Sequence, residues 1–315
     1  MKYYYHRGGL CPTMTSPDHA VNIIDRTQTI LPNSSIAVYT PIGKLVTPKT
    51  VAELFHTRAS EIITVAAGRK IAVAWSGGID STSILVEFLK LVPNDQLIIL
   101  LNDFSIREYP EFYRRYIDGK IEQRLFDLYS DNFMDAYIDD CVIVTGILFD
   151  RVMGDSLFHA LTEDDLKMST ASFLNSVNAA SREMYSTLFA ACPRPLETLK
   201  DISWWQSYAL NWQSGEMVWL LLSEKLRLES NMFNFCTSPD WNDYAVSAPM
   251  EEKWPGYQQI HYKWPLKQHI FEFTQDSQYR DNKCKVFSWR RYRTAEQWKK
   301  IPIYITTDWK RGYVV

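Results

Sequence analysis

Lys70-Ile71-Ala72-Val73-Ala74-Trp75 is apolar at nearly every position, breaks at once into Ser76-Gly77-Gly78, and resumes as a helical pattern over Ser83 to Leu89. A strand that is apolar on both faces must be buried on both, the condition of a parallel sheet covered by helices. A second such run, Gln96 to Leu101, precedes a helix from about Pro110, and a third, Asp140 to Thr145, ends at Gly146. Strand, helix, strand, helix, strand predicts an α/β chain with a doubly wound parallel sheet and ligands at the C-terminal strand ends.

The flanking segments read differently. Residues 1–48 are expected to form an N-terminal extension with a small hairpin, built on the extended stretch Ser35 to Tyr39 and the Pro-Ile-Gly turn after it. A helix is predicted from about Thr50 to Ala67, where Val51, Leu54, Phe55, Ala59, Ile62 and Ile63 recur at helical spacing and Gly68 ends the pattern. The α/β core is assigned to 49–190. Residues 191–315 are assigned to a mainly helical acceptor-side region, with a helical stretch over Ile202 to Leu228 as its clearest example.

Composition sets the class. Hydrophobic residues are 46% and aromatics 14% of 315, enough for a substantial core and against wholesale disorder. A net charge of −3 gives no global field toward nucleic acid or membranes. The five cysteines, Cys11, Cys141, Cys192, Cys236 and Cys284, include no C-x-x-C pair, so neither a zinc knuckle nor a redox dithiol is expected. No signal-peptide pattern opens the chain, and the greasiest run, Met217 to Leu222, is too short to span a bilayer. The cytoplasm is the expected location.

The chemistry concentrates in Ser76-Gly77-Gly78-Ile79-Asp80-Ser81-Thr82. Two glycines let the backbone reach positive φ and approach an anion closely. Helix-start N–H groups and the helix dipole then favour phosphate. Ser76, Ser81 and Thr82 are candidate hydroxyl donors. Asp80 is repelled by phosphate unless a cation such as Mg²⁺ intervenes.

This string resembles the pyrophosphate loop of the N-type ATP pyrophosphatases, the superfamily of asparagine synthetase and β-lactam synthetase. It is not a Walker loop, because no G-K-[ST] follows. The resemblance implies an adenine-nucleotide-hydrolase-like fold in which ATP is cleaved, its AMP passing to an acceptor while the loop holds the β- and γ-phosphates. A second segment, Thr145-Gly146-Ile147-Leu148-Phe149-Asp150-Arg151-Val152-Met153-Gly154, is similar to the synthetase pattern S-G-E-G-x-D-E-x-F-G, with Gly146, Asp150 and Gly154 in register. By that resemblance Asp150 is the second carboxylate on Mg²⁺, partnering Asp80. Lys263-Trp264-Pro265-Leu266-Lys267 resembles the K-x-x-L-R segment. Arg280 to Lys285 resembles the R-x-K loop, which makes Lys283 first and Lys285 second choice for neutralising charge on the departing pyrophosphate. The end of the second strand, Asn102 to Phe104, is implied to face adenine.

One departure bears on the reaction. Where asparagine synthetase has a glutamate and β-lactam synthetase a tyrosine, this chain has Ile147, which cannot move a proton. The sequence also shows neither an N-terminal-nucleophile nor a triad-type glutaminase, so nitrogen is expected from ammonia, an amine or a separate glutaminase subunit. The expected reaction is adenylation of an acceptor, a carboxylate first, followed by amidation or ligation. Two alternatives stand beside it. One is modification of a nucleotide or nucleic-acid base by the same activation, with Arg290 to Arg293 gripping the substrate near Trp289 and Trp298. The other is a non-catalytic ATP-binding module. His159 and the Trp204-Trp205 pair are expected to be core or interface residues.

Overall fold

The computed structural model describes residues 2–6, 9–13, 25–30, 40–125, 141–154, 161–212 and 232–284. The expectations for Ser35 to Tyr39, His159, Lys285, Trp289, Arg290 to Arg293 and Trp298 lie outside the described residues. The first paired element is a hairpin of β1 (Lys2–His6) and β2 (Gly9–Thr13), forming its own two-stranded sheet.

Helix α1 (Val51–Ala66) begins where Thr50 and Glu53 form a reciprocal capping box, and ends with Ala67 in the left-handed region. The chain then enters β3 (Lys70–Ala74), α2 (Ile79–Leu91), β4 (Leu97–Leu101), α3 (Asp103–Glu108), the single turn α4 (Pro110–Phe112) and a π-helical turn over Tyr113–Ile117. Next come β5 (Glu122–Leu125), β6 (Cys141–Thr145) and α5 (Phe149–Met153). Four helices follow: α6 (Glu163–Lys167), α7 (Thr170–Ser176), α8 (Ala179–Ala190) and α9 (Leu199–Leu210). Further along the described residues come β7 (Met232–Asn234), α10 (Pro239–Ser247), α11 (Met250–Lys253), a 3-10 turn over Gln259–His261, α12 (Trp264–Thr274) and α13 (Ser277–Asn282).

Strands β3 to β7 make one all-parallel sheet flanked by helices, in the order β5-β4-β3-β6-β7. From β3 the chain moves outward to β5, then returns to the other side of β3 as β6. All five residues of β4 and of β6 are buried, so both faces of the central sheet are covered. The sheet has two strands that the sequence reading did not foresee. Glu122-Gln123-Arg124-Leu125 is mostly exposed and lacks an apolar face, and β7 has only three residues.

The helices lock together through aromatic and polar contacts. Phe55 of α1 stacks on His269 of α12 at 4.3 Å and meets Trp241 of α10 edge-on at 5.3 Å. Glu87 of α2, almost fully buried, lies 3.3 Å from His269 Nε2 and 3.4 Å from His56 Nδ1. The helix expected over Ile202 to Leu228 is Leu199–Leu210 with Asn211 as its C-cap, and residues beyond Trp212 fall outside the description up to Met232. Trp204 and Trp205 are fully buried. Arg26, also buried, fastens residues 40–41 to this layer. Its guanidinium donates to the carbonyls of Thr40, Pro41 and Tyr208 and to Asn242 Oδ1, between the rings of Tyr208 and Trp212. Among the described residues no helix is long and apolar enough to cross a membrane.

Candidate active site

The reversal of strand order falls between β3 and β6, and the loops at the C-terminal ends of both strands meet there. Trp75 continues β3 by one residue, its N–H donating to Leu100 O at 2.9 Å. Its indole Nε1 donates to Thr82 Oγ1 at 3.0 Å, which ties the strand end to the first turn of α2. Thr82 is fully buried, so its hydroxyl fastens the loop from inside and is not part of the open rim. Ser76 and Ser81 close the loop from the other side. Ser81 Oγ accepts from the Ser76 N–H at 3.0 Å and shares a second 3.0 Å hydrogen bond with Ser76 Oγ.

Gly77 has φ +73°, and a Cβ there would lie 2.3 Å from Ser105 O and 2.8 Å from Glu108 Cβ. Only glycine fits both the dihedral and the space. Gly78 is the N-cap of α2 and supplies no side-chain cap. Among the described residues no N-cap carboxylate or hydroxyl therefore stands in front of the first-turn N–H groups of this 13-residue helix. Such an end attracts an anion.

Asp80 stands in that first turn, and Asp150 in the first turn of α5 beyond β6. The structure brings them together. Lys263 Nζ lies 2.5 Å from both Asp80 oxygens and 2.6 Å from Asp150 Oδ1. The lysine side chain is 3% exposed, against 26% and 23% for the two carboxylates. Burial alone would push its ammonium down, but Asp150 and Asp80 outweigh that and hold it above the ordinary lysine range. The Tyr262 hydroxyl donates to Asp150 Oδ1 at 2.8 Å and reaches Gly154 O at 3.3 Å. Lys263 itself has φ +56°, a left-handed backbone directly ahead of α12. Gly146 completes the contact, since a Cβ there would sit 3.2 Å from Asp80 Cβ and 2.9 Å from Ile84 Cδ1.

No protein-family model matches this chain, and no curated protein gives a significant match. The site therefore rests on its own geometry.

Lys283 is held on the Glu108 side of the loop. It follows α13, which is docked by Tyr279 stacking on Tyr109 at 3.9 Å and by the Tyr109 hydroxyl donating to Asp276 Oδ2 at 2.8 Å. Burial, reinforced by Asp276, pushes the Tyr109 phenol far above its usual range, so it stays a donor. Lys283 Nζ pairs with Glu108, the residue packed against Gly77. Asn102 caps α3 by accepting from the N–H groups of Phe104 and Ser105, and Phe104, 39% exposed, stands in the first turn of that helix with the Arg107 guanidinium 5.8 Å from its ring. Ile147, partly buried, packs on the core beside Gly146.

Sequence reasoning assigned no role to Lys263, Tyr262 or Glu108. The K-x-x-L-R likeness was the available signal for Lys263. Glu108 and Tyr262 are joined to the site only by tertiary packing, which no local pattern announces.

Proposed function

We propose that this chain is an ATP pyrophosphatase that transfers AMP from ATP to an acceptor carboxylate, releases pyrophosphate, and joins the activated acceptor to ammonia or an amine. The observation that carries this reading is the convergence of Asp80 and Asp150 on one point beside an uncapped helix start. The strand order and its reversal at β3 support a doubly wound, adenine-nucleotide-hydrolase-like sheet.

The two carboxylates fit a divalent cation. Three of their oxygens surround a single point at 2.5 to 2.6 Å, and a contraction to about 2.1 Å would suit Mg²⁺. Phosphate and water would complete its shell. Asp80 and Asp150 would hold it, and when bound it supplies neutralisation of the triphosphate charge.

The chain's own residues do the rest. Gly77 and Gly78 admit the β- and γ-phosphates to the backbone, and the N–H groups opening α2 bind them with Ser76 at the rim. Lys283 exchanges Glu108 for the departing pyrophosphate and offsets its growing charge. Phe104 offers an aromatic face for adenine. Ile147 moves no proton, and a carboxylate acceptor, ionised at neutral pH, needs none removed before it attacks. A cytoplasmic setting with ample ATP suits this chemistry. It also suits the free thiols of Cys141, Cys192, Cys236 and Cys284.

The test is ATP–pyrophosphate isotope exchange across a panel of carboxylate acceptors, with AMP and pyrophosphate titrated as products. ADP and phosphate as sole products would exclude the proposal. Ile147 and the lysine-bridged carboxylates favour one rival, a nucleotide-binding module without turnover, which predicts ATP binding and no exchange with any acceptor. Modification of a nucleic-acid base would show instead as salt-dependent retention of tRNA or DNA on filters.

A further inference from the structure

We infer that Lys263 is the resident counter-ion of the Asp80–Asp150 pair, and that a divalent cation replaces it only when a polyphosphate arrives to take up the lysine. The inference rests on the metal-nucleotide reading of this site and adds an order to it: the metal does not bind the empty enzyme.

The geometry leaves one position for positive charge. Both Asp80 oxygens and Asp150 Oδ1 already point at Lys263 Nζ from 2.5 to 2.6 Å. A metal held by both carboxylates must occupy the place where the ammonium now sits. Two cations cannot share it, because the lysine side chain is 3% exposed and water does little there to screen their repulsion.

The lysine also has nowhere to retreat. Among the described residues Nζ pairs with no third carboxylate, and the Tyr262 ring lies 5.3 Å from it. Expelling a buried ammonium without a new partner is strongly unfavourable. The αL backbone of Lys263 and the helix that starts at Trp264 fix the root of the side chain, so its head can swing but not leave. An anion bound at the start of α2, the helix that carries Asp80 in its first turn, would offer the ammonium a new partner. Phosphate oxygens would receive the ammonium as the metal takes the carboxylates, and the two exchanges offset each other. Nucleotide and metal binding are then strongly coupled, each raising the affinity for the other.

Mn²⁺ titration of the full chain, followed by electron paramagnetic resonance of the free ion, tests this. Without nucleotide, wild type is expected to show no saturable site at submillimolar Mn²⁺. Lys263→Met is expected to bind one Mn²⁺ at least ten-fold more tightly, and Lys263→Arg to behave as wild type. Equal Mn²⁺ binding by wild type and Lys263→Met overturns the inference. Should Lys263→Met fail to fold, wild type alone decides, with α,β-methylene-ATP present or absent and the nucleotide-bound metal subtracted. A ten-fold or larger gain in protein-bound Mn²⁺, lost in Asp150→Asn, supports the exchange, and no gain overturns it. Failure of the ATP reading looks different: labelled α,β-methylene-ATP would not be retained in equilibrium dialysis, while Lys263→Met would still gain its metal.

Discussion

Replacing Asp150 with Asn leaves Lys263 facing one carboxylate in a place that water barely reaches. Urea unfolding should show a loss of about 1–3 kcal/mol. The double change Asp80→Asn with Asp150→Asn strands the ammonium and should cost about 3–5 kcal/mol. Either single change is expected to lower pyrophosphate exchange by about 100-fold or more. Gly77→Ala puts a Cβ into the Ser105 carbonyl and Glu108 at positive φ. Its expected cost is about 2–3 kcal/mol with loss of nucleotide binding. Gly146→Ala meets the movable end of Ile84 and crowds Asp80 Cβ at 3.2 Å, and should cost about 1–3 kcal/mol. Lys267 makes a pH-dependent prediction. Its Nζ donates to Ile260 O at 2.5 Å, and burial pushes the ammonium down to about 8 from 10.5. Between those values the unfolded chain keeps a proton that the folded chain has released, so stability rises with pH across that window. Wild type should gain on the order of 3 kcal/mol relative to Lys267→Met between about pH 8 and pH 10.5, read from urea midpoints at intermediate pH.

At the scale of elements, legibility followed the strength of local signals. The strands Lys70–Ala74, Leu97–Leu101 and Cys141–Thr145 were readable because burial on both faces leaves an unbroken apolar run. Strands β5 and β7 were not. An exposed edge needs no apolar alternation, and three residues are too few to carry a period. The loop after β3 was legible because positive φ and close approach demand glycine, whereas the partners of Asp80 and Asp150 come from distant packing. Lys285 falls outside the described residues, so its expected role gains nothing from the fold. The strap around Arg26 was equally invisible, since the carbonyls and the amide that accept from its guanidinium lie 14 to 216 residues away. Arg26→Met is expected to leave those acceptors unpaired at a cost on the order of 3 kcal/mol. Limited trypsin digestion should then cut faster at Lys44 and Lys49, which the strap holds near α10 through Asp243 and Asp240.

For the whole molecule, a ligand that binds only the folded state raises stability by mass action. ATP with Mg²⁺ at about 100 times the dissociation constant should add roughly 2.7 kcal/mol. Either component alone should add far less, and thermal melts with each omitted in turn check this. The sheet has a consequence for how the molecule is made. Its fifth strand comes from residues 232–234, and the lysine that neutralises the two aspartates comes thirty residues later still. A nascent chain emerging from the ribosome carries β6 with an open edge and two like charges facing each other until most of its length has been translated. The half-built sheet is then an aggregation-prone intermediate, and a chaperone that shields this edge has its work between the emergence of Thr145 and that of Thr274.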